Sequence, residues 1–129
     1  MTIVYTSGVF DLFHAGHLQA LQWAKNQGSF LIVGILSDED AQSYKRLPII
    51  PYEQRFSIIE NLNFVDKVIY GPKFETVRFY RDLGIDFHCQ GDELDGFYEI
   101  AKQLGILKIL GRSKITNSTE IIQRIRDRH

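Results

Sequence analysis

Five short apolar runs recur along the chain, and after each the apolar residues return every three or four positions. This alternation limits the fold more than any other feature. The runs are residues 2–6, 30–36, 67–70, 86–90 and 107–110; the helical stretches are 16–27, 51–61, 74–83, 96–104 and 118–127. Residues 30–36 are apolar almost throughout, as suits a strand covered on both faces. Strands separated by helices cannot pair through hairpins, so they pair in parallel with the helices packed above and below. The expected class is α/β, a doubly wound five-stranded parallel sheet with helices on both faces. Ligands of such sheets sit at the carboxyl ends of the strands.

Local signals place the punctuation. Gly28, Gly84 and Gly105 follow helices and are expected as left-handed C-caps. Pro51 is expected at a first helical position. Leu18, Leu21 and Ala24, then Phe56, Ile59 and Leu62, then Val77 and Tyr80, then Phe97, Ile100 and Ala101 are expected to face inward. Residues 37–47 read as a polar loop.

The 129 residues, 1–129, suit a single domain. A net charge of −1 implies no polyanion-binding surface, and so no nucleic-acid partner. The lone Cys89 excludes an intrachain disulfide and reads as a small buried filler. No apolar run approaches the ~18 residues of a membrane span, and the first residues lack a secretion signal. A soluble, cytoplasmic protein with no membrane partner is expected.

The chemistry concentrates in Ser7-Gly8-Val9-Phe10-Asp11-Leu12-Phe13-His14-Ala15-Gly16-His17, between the first strand and the first helix. Its glycines allow close approach of a ligand. The helix start offers unpaired N–H groups and the positive end of the helix dipole, a ready anion site. His14 and His17 lie three apart on one side of the first turn. Two alternatives stand beside an anion site: a pair that merely caps the helix, and a zinc site, which lacks nearby cysteine or carboxylate partners at helical spacing.

At these residues the chain resembles the small nucleotidyltransferases that carry an HxGH motif, glycerol-3-phosphate cytidylyltransferases in particular. The resemblance implies a Rossmann-like sheet of strand order 3-2-1-4-5. It implies transfer of CMP from CTP to a small phosphorylated alcohol, glycerol 3-phosphate first, with release of pyrophosphate. Mg²⁺ is expected on the triphosphate, with no metal site in the protein, and a homodimer is implied. An adenylyltransferase of the same superfamily and a nucleotide-binding module without catalysis are the alternatives.

Carried over residue by residue, the resemblance makes His14, His17 and Lys45 catalytic. Ser7, Gly8, Val9, Phe10 and Gly16 become nucleotide-binding together with the two histidines. Asp11, Lys45, Arg46 and Arg55 become acceptor-binding, Arg55 through the family's Y-E-x-R run at Tyr52-Glu53-Gln54-Arg55. A second family arginine is Asn63 here, with Arg78 or Arg81 as replacements. Gly91 and Asp92 match a G-D run near the ribose or base. Residues 112–122 resemble R-T-E-G-I-S-T-T-x-I-I, which assigns Arg112, Ser113, Asn117, Ser118 and Thr119 to the nucleotide. Lys114, Ile115 and Asn117 depart from that pattern, and Asn117 with Glu120 has capping-box spacing.

Overall fold

The computed structural model describes residues 1–91, 98–111 and 118–128. Its strands are β1 (Ile3–Gly8), β2 (Phe30–Ile35), β3 (Lys67–Tyr70), β4 (Phe87–Gly91) and β5 (Leu107–Leu110). Its helices are α1 (Ala15–Asn26), α2 (Asp38–Tyr44), α3 (Tyr52–Glu60), α4 (Val77–Leu83), α5 (Glu99–Leu104) and α6 (Ser118–Asp127). The strands form one parallel sheet in the order β3-β2-β1-β4-β5. The order reverses beside β1, so a crevice opens at the carboxyl ends of β1 and β4.

Alternate residues of each central strand face opposite ways. Val4, Leu31, Val33 and Ile35 pack with Leu21 and Ala24 of α1 and Ile59 of α3. Tyr5 and Ile32 pack on the other face with Tyr80 of α4 and Ala101 of α5. Phe56 and Leu62 join the first cluster as expected, and Trp23 also packs there. Cys89 is buried with its thiol pushed up to about 11 by burial, which suits a filler. At the opposite end of the sheet two aspartates hold strand entries in place. Asp86 accepts from Ile3 N–H at 2.8 Å, and Asp66 accepts from Leu31 N–H at 2.8 Å and from Lys25 at 2.6 Å.

Four local expectations are corrected. Residues 37–47 hold α2, capped by Ser37 through Asp40 N–H and started by Asp38, Glu39 and Asp40, which suit the helix dipole. Only Ala41 of α2 is buried, so no apolar period announced it. Pro51 is the N-cap of α3, one position before the helix. Val77 is 40% exposed, because α4 begins there and turns Tyr80 inward. Gly84 and Gly105 are left-handed caps as expected, but Gly28 is not.

At Gly28 the need is space. A Cβ there would stand 2.6 Å from Val4 Cγ2 and 2.7 Å from the Thr2 carbonyl oxygen. Gly28→Ala is therefore expected to cost ~1–3 kcal/mol by overpacking. A calorimetric Tm within a degree of the parent would contradict the close approach.

Candidate active site

The turn after β1 is built against strain. Phe10 and Leu12 have φ of 54° and 50°, the left-handed region that side chains disfavour. Asp11 between them, 3% exposed, takes hydrogen bonds from Ile49 N–H (2.9 Å), Ile50 N–H (2.9 Å) and Arg46 (2.6 Å). Burial alone would raise its pKa; these donors outweigh burial and hold the carboxyl below its ordinary value. Gly8 lets the Phe10 ring lie back over it, since a Cβ would meet the ring at 3.0 Å.

Arg55 holds the turn from the other side. It is 0% exposed and donates through Nη1 to the carbonyls of Val9 (2.7 Å) and Leu36 (2.9 Å) and through Nε to that of Ile50 (2.9 Å). Its Nη2 pairs with Asp38 at the start of α2. The side chain thus ties the ends of β1 and β2 to α2 and to the chain before α3. The structure gives Asp11 and Arg55 a framing task, and Arg55 presents no surface to an acceptor phosphate.

The histidines cap α1 and still offer donors. His14 is the N-cap; its Nδ1 accepts from Gly16 N–H at 3.0 Å, and its own N–H donates to His17 Nδ1 at 3.3 Å. The rings stack with centroids 3.8 Å apart. Burial depresses both pKa values, His17 to about 3, so both rings are neutral. A neutral ring that accepts at Nδ1 carries its proton on Nε2. Two Nε2–H donors therefore stand side by side at a helix N-terminus, and His14 Nε2 is buried without a partner among the described residues. The capping alternative and the anion site coexist, on different nitrogens.

The surrounding charges converge on this pair. Lys45, exposed at the end of α2, pushes the His17 pKa down, and Glu120 in the first turn of α6 pushes that of His14 up. The first turn of α6, with Ser118 and the exposed Thr119, thus lies within electrostatic reach of His14. Among the described residues Lys45 has no ion-pair partner, whereas Arg46 is bound to Asp11. Ser7 N–H donates to Gln90 Oε1 at 2.7 Å across β1 and β4. Gly91 ends β4 and is exposed. Asp92, Arg112, Ser113, Lys114, Ile115 and Asn117 lie outside the described residues. Asn63 is exposed, and Arg78 pairs with Asp82 on the surface of α4.

Sequence reading missed Gln90, Glu75, Tyr98 and the tasks of Asp11 and Arg55. A polar residue inside an apolar strand was the available signal for Gln90; the others carry none.

The depressed histidines make stability fall in acid. His17 (about 3) and His88 (about 4) stay neutral when folded but take up protons below their ordinary 6.5 when unfolded. Glu75, raised to about 7, acts oppositely: its contribution is lost as pH rises from 4.5. Between pH 6.5 and 4.5 unfolding takes up one proton each at His17 and His88, with a further share at His14, and releases one at Glu75, a slope of about 1.4 kcal/mol per pH unit for each net proton. Tm is expected to drop from pH 6.5 to 5 in scanning calorimetry; a flat or rising Tm would contradict neutral buried histidines.

The chain belongs to the cytidylyltransferase-like family, whose model matches residues 5–124. It is 33% identical over 131 residues to choline-phosphate cytidylyltransferase A of Rattus norvegicus, covering 95% of this chain and 36% of that protein. It is 32% identical over 133 residues to ethanolamine-phosphate cytidylyltransferase of Arabidopsis thaliana, covering 95% of this chain and 32% of that one. It thus spans about a third of the length of these curated relatives. Its fold matches the solved lipopolysaccharide core biosynthesis protein of Thermoplasma volcanium GSS1 with a TM-score of 0.73 and 30% identity, covering 90% of this chain and 99% of that one. No helix among the described residues is long and apolar enough to cross a membrane.

Proposed function

We propose that the chain is a cytidylyltransferase that moves CMP from CTP to a small phosphorylated alcohol, glycerol 3-phosphate first among candidates. The single observation that carries this reading is the pair of neutral Nε2–H donors at the start of α1, in a chain of this family.

An oxygen of the acceptor phosphate attacks the α-phosphorus of CTP, the bond to the β-bridging oxygen breaks, and pyrophosphate leaves with that electron pair. A phosphate monoester is mostly ionised at pH 7, its second pKa being ~6, so no general base is required. The obstacle is the meeting of two anions. His14 and His17 donate to the oxygens of the α-phosphate, where charge builds, from positions fixed by their own caps. The N–H groups that open α6, with Thr119, face the β- and γ-phosphates. Lys45 and Arg46 meet the acceptor phosphate, Lys45 as a mobile point charge and Arg46 as a planar fork held by Asp11. Among the described residues no three His, Cys, Asp or Glu side chains gather to hold a metal. The proposed substrate is the magnesium complex of CTP, with the ion held by phosphates and water.

The test is pyrophosphate release with Mg²⁺, crossing CTP and ATP with glycerol 3-phosphate, phosphocholine, phosphoethanolamine and a heptose phosphate. Release with CTP and an alcohol phosphate is expected. Release with ATP alone would make the chain an adenylyltransferase, and nucleotide binding without turnover would make it a binding module. In the same assay Lys45→Ala is expected to raise KM for the acceptor ~10-fold or more, since it removes an exposed charge and breaks no internal bond. Unchanged kinetics would make Lys45 part of a solvated surface.

A further inference from the structure

On the α4 and α5 side of the same crevice lie four buried polar side chains, Tyr5, Glu75, Tyr80 and His88, with the half-buried Gln90, none with a part in holding a triphosphate. Their hydrogen bonds can be oriented from one end. Ser7 N–H donates to Gln90 Oε1, which fixes that atom as an oxygen. His88 Nε2, 2.9 Å from the same oxygen, must then donate to it. His88 is fully buried, and burial holds its pKa down to about 4, so the ring is neutral and accepts at Nδ1. The Tyr80 hydroxyl, 2.7 Å from Nδ1, gives its only proton there. Its lone pairs are left facing Glu75 Oε1 at 3.4 Å, a favourable contact when Glu75 is a neutral acid. Burial pushes that carboxyl up to about 7, in agreement.

Two polar atoms at the end of this relay are buried without a partner among the described residues, Glu75 Oε2 and the Tyr5 hydroxyl. Glu75 is 6% exposed and Tyr5 0%. Ser7 is near enough to lower the pKa of Tyr5 and of Tyr98, but not at a geometry that satisfies the Tyr5 oxygen. Both orphaned atoms lie toward the carboxyl end of the sheet. Glu75 is in the connection that follows β3. The Tyr5 oxygen lies over Gly34, the partner of Ser7 in the sheet, where any Cβ would collide with it. Tyr98 and Tyr44 are within electrostatic reach of one another, and Tyr44 adjoins Lys45. Through Tyr98, the Tyr5 and Glu75 pair is thus linked electrostatically to the Lys45 end of α2, where the acceptor phosphate is proposed to be held.

We propose that Glu75 and the Tyr5 hydroxyl form the subsite for the alcohol end of the acceptor, hydrogen-bonding a hydroxyl there and selecting hydroxylated phosphomonoesters over quaternary-ammonium ones. This rests on the cytidylyltransferase reading for what the phosphate end does. Below pH 7 the relay leaves the subsite uncharged, with one carbonyl acceptor and one phenol. That pair matches an alcohol, which both donates and accepts. A trimethylammonium group neither donates nor accepts, so it would leave both atoms unmet. A site built to hydrogen-bond a hydroxyl rejects analogues lacking it far more strongly than an apolar pocket rejects a missing methylene.

The experiment is calorimetric titration of the full chain with glycerol 3-phosphate, ethyl phosphate and phosphocholine, beside CTP-dependent pyrophosphate release. The parent is expected to bind glycerol 3-phosphate ~10-fold or more tighter than ethyl phosphate or phosphocholine. Tyr5→Phe, which removes one oxygen and keeps the ring, and Glu75→Leu are each expected to cut that preference to about threefold or less, with CTP affinity unchanged. Glu75→Gln keeps a neutral oxygen acceptor and is expected to keep most of the preference. Equal binding of the three phosphates, no binding of any, tighter binding of phosphocholine, or a preference that survives Tyr5→Phe would each overturn the subsite. Preference without pyrophosphate release would leave the subsite standing and remove the transferase reading. Release indifferent to Tyr5 and Glu75 would do the reverse.

Discussion

His17→Ala is expected to lower kcat by ~10²–10³-fold, the usual consequence of deleting one fixed donor to a transition-state anion. Affinity for CTP should change only a few-fold, because the N–H groups at the starts of α1 and α6 remain. The same substitution uncovers the His14 backbone N–H, which His17 Nδ1 now accepts at 3.3 Å. A stability loss of ~1 kcal/mol should accompany it, the size of a lost helix cap. His14→Asn separates the two effects. Asparagine is itself a good N-cap and replaces the bond from Gly16 N–H, but it has no donor where Nε2 stands. That variant should keep its Tm and still lose ~10²-fold or more in kcat. Single-turnover rates with CTP, read beside thermal melts, decide the matter; a stable His14→Asn with parental kcat would reduce the histidines to caps.

Arg55→Ala is expected to be the most damaging substitution for stability, at ~3–5 kcal/mol, the range for removing a buried charged side chain together with its hydrogen bonds. Four bonds go at once: to Val9, Leu36 and Ile50 carbonyls and to Asp38. The carbonyls are left in a region closed to solvent, and a side-chain-sized void opens beside them. Lysine cannot rescue it, because one ammonium cannot reach three separate carbonyls and a carboxylate in the geometry a planar fork allows. A Tm drop of ~10 °C or more follows for a domain of this size. Nucleotide affinity should fall with it, since Arg55 and Asp11 together hold the strained turn at Phe10 and Leu12. An Arg55→Lys chain with parental Tm would show that the buried fork is dispensable.

Features that depend on near neighbours were legible beforehand. β3 and β5 have the expected bounds, as does α6, and the left-handed caps at Gly84 and Gly105 were readable from a glycine just past a periodic stretch. The histidine pair was legible because a spacing of three is a property of the helix itself. The tautomer that leaves both Nε2–H groups available was not, since it depends on which nitrogen each cap uses. α2 carried a signal that was passed over: Ser37 followed by three acids announces a helix start even without an apolar face.

The sequence by itself determined the order of the strands and of the helices other than α2, the positions of most turns between them and the place of the stretch proposed to bind phosphate, because hydrophobic period, glycine and caps act within a few residues. Only the tertiary structure decided what the polar residues far apart in the chain do. Arg55 reads locally as one more cation on a helix, yet its bonds reach 17, 19 and 46 residues back along the chain, and its side chain is fully buried. Asp11 finds its donors 35 to 39 residues ahead. Gly28 is required by the approach of β1, and burial among residues from other elements pushes the Glu75 carboxyl up to about 7. Burial of a polar group is favourable only when all of its partners arrive together, and that condition is met by the packed sheet as a whole.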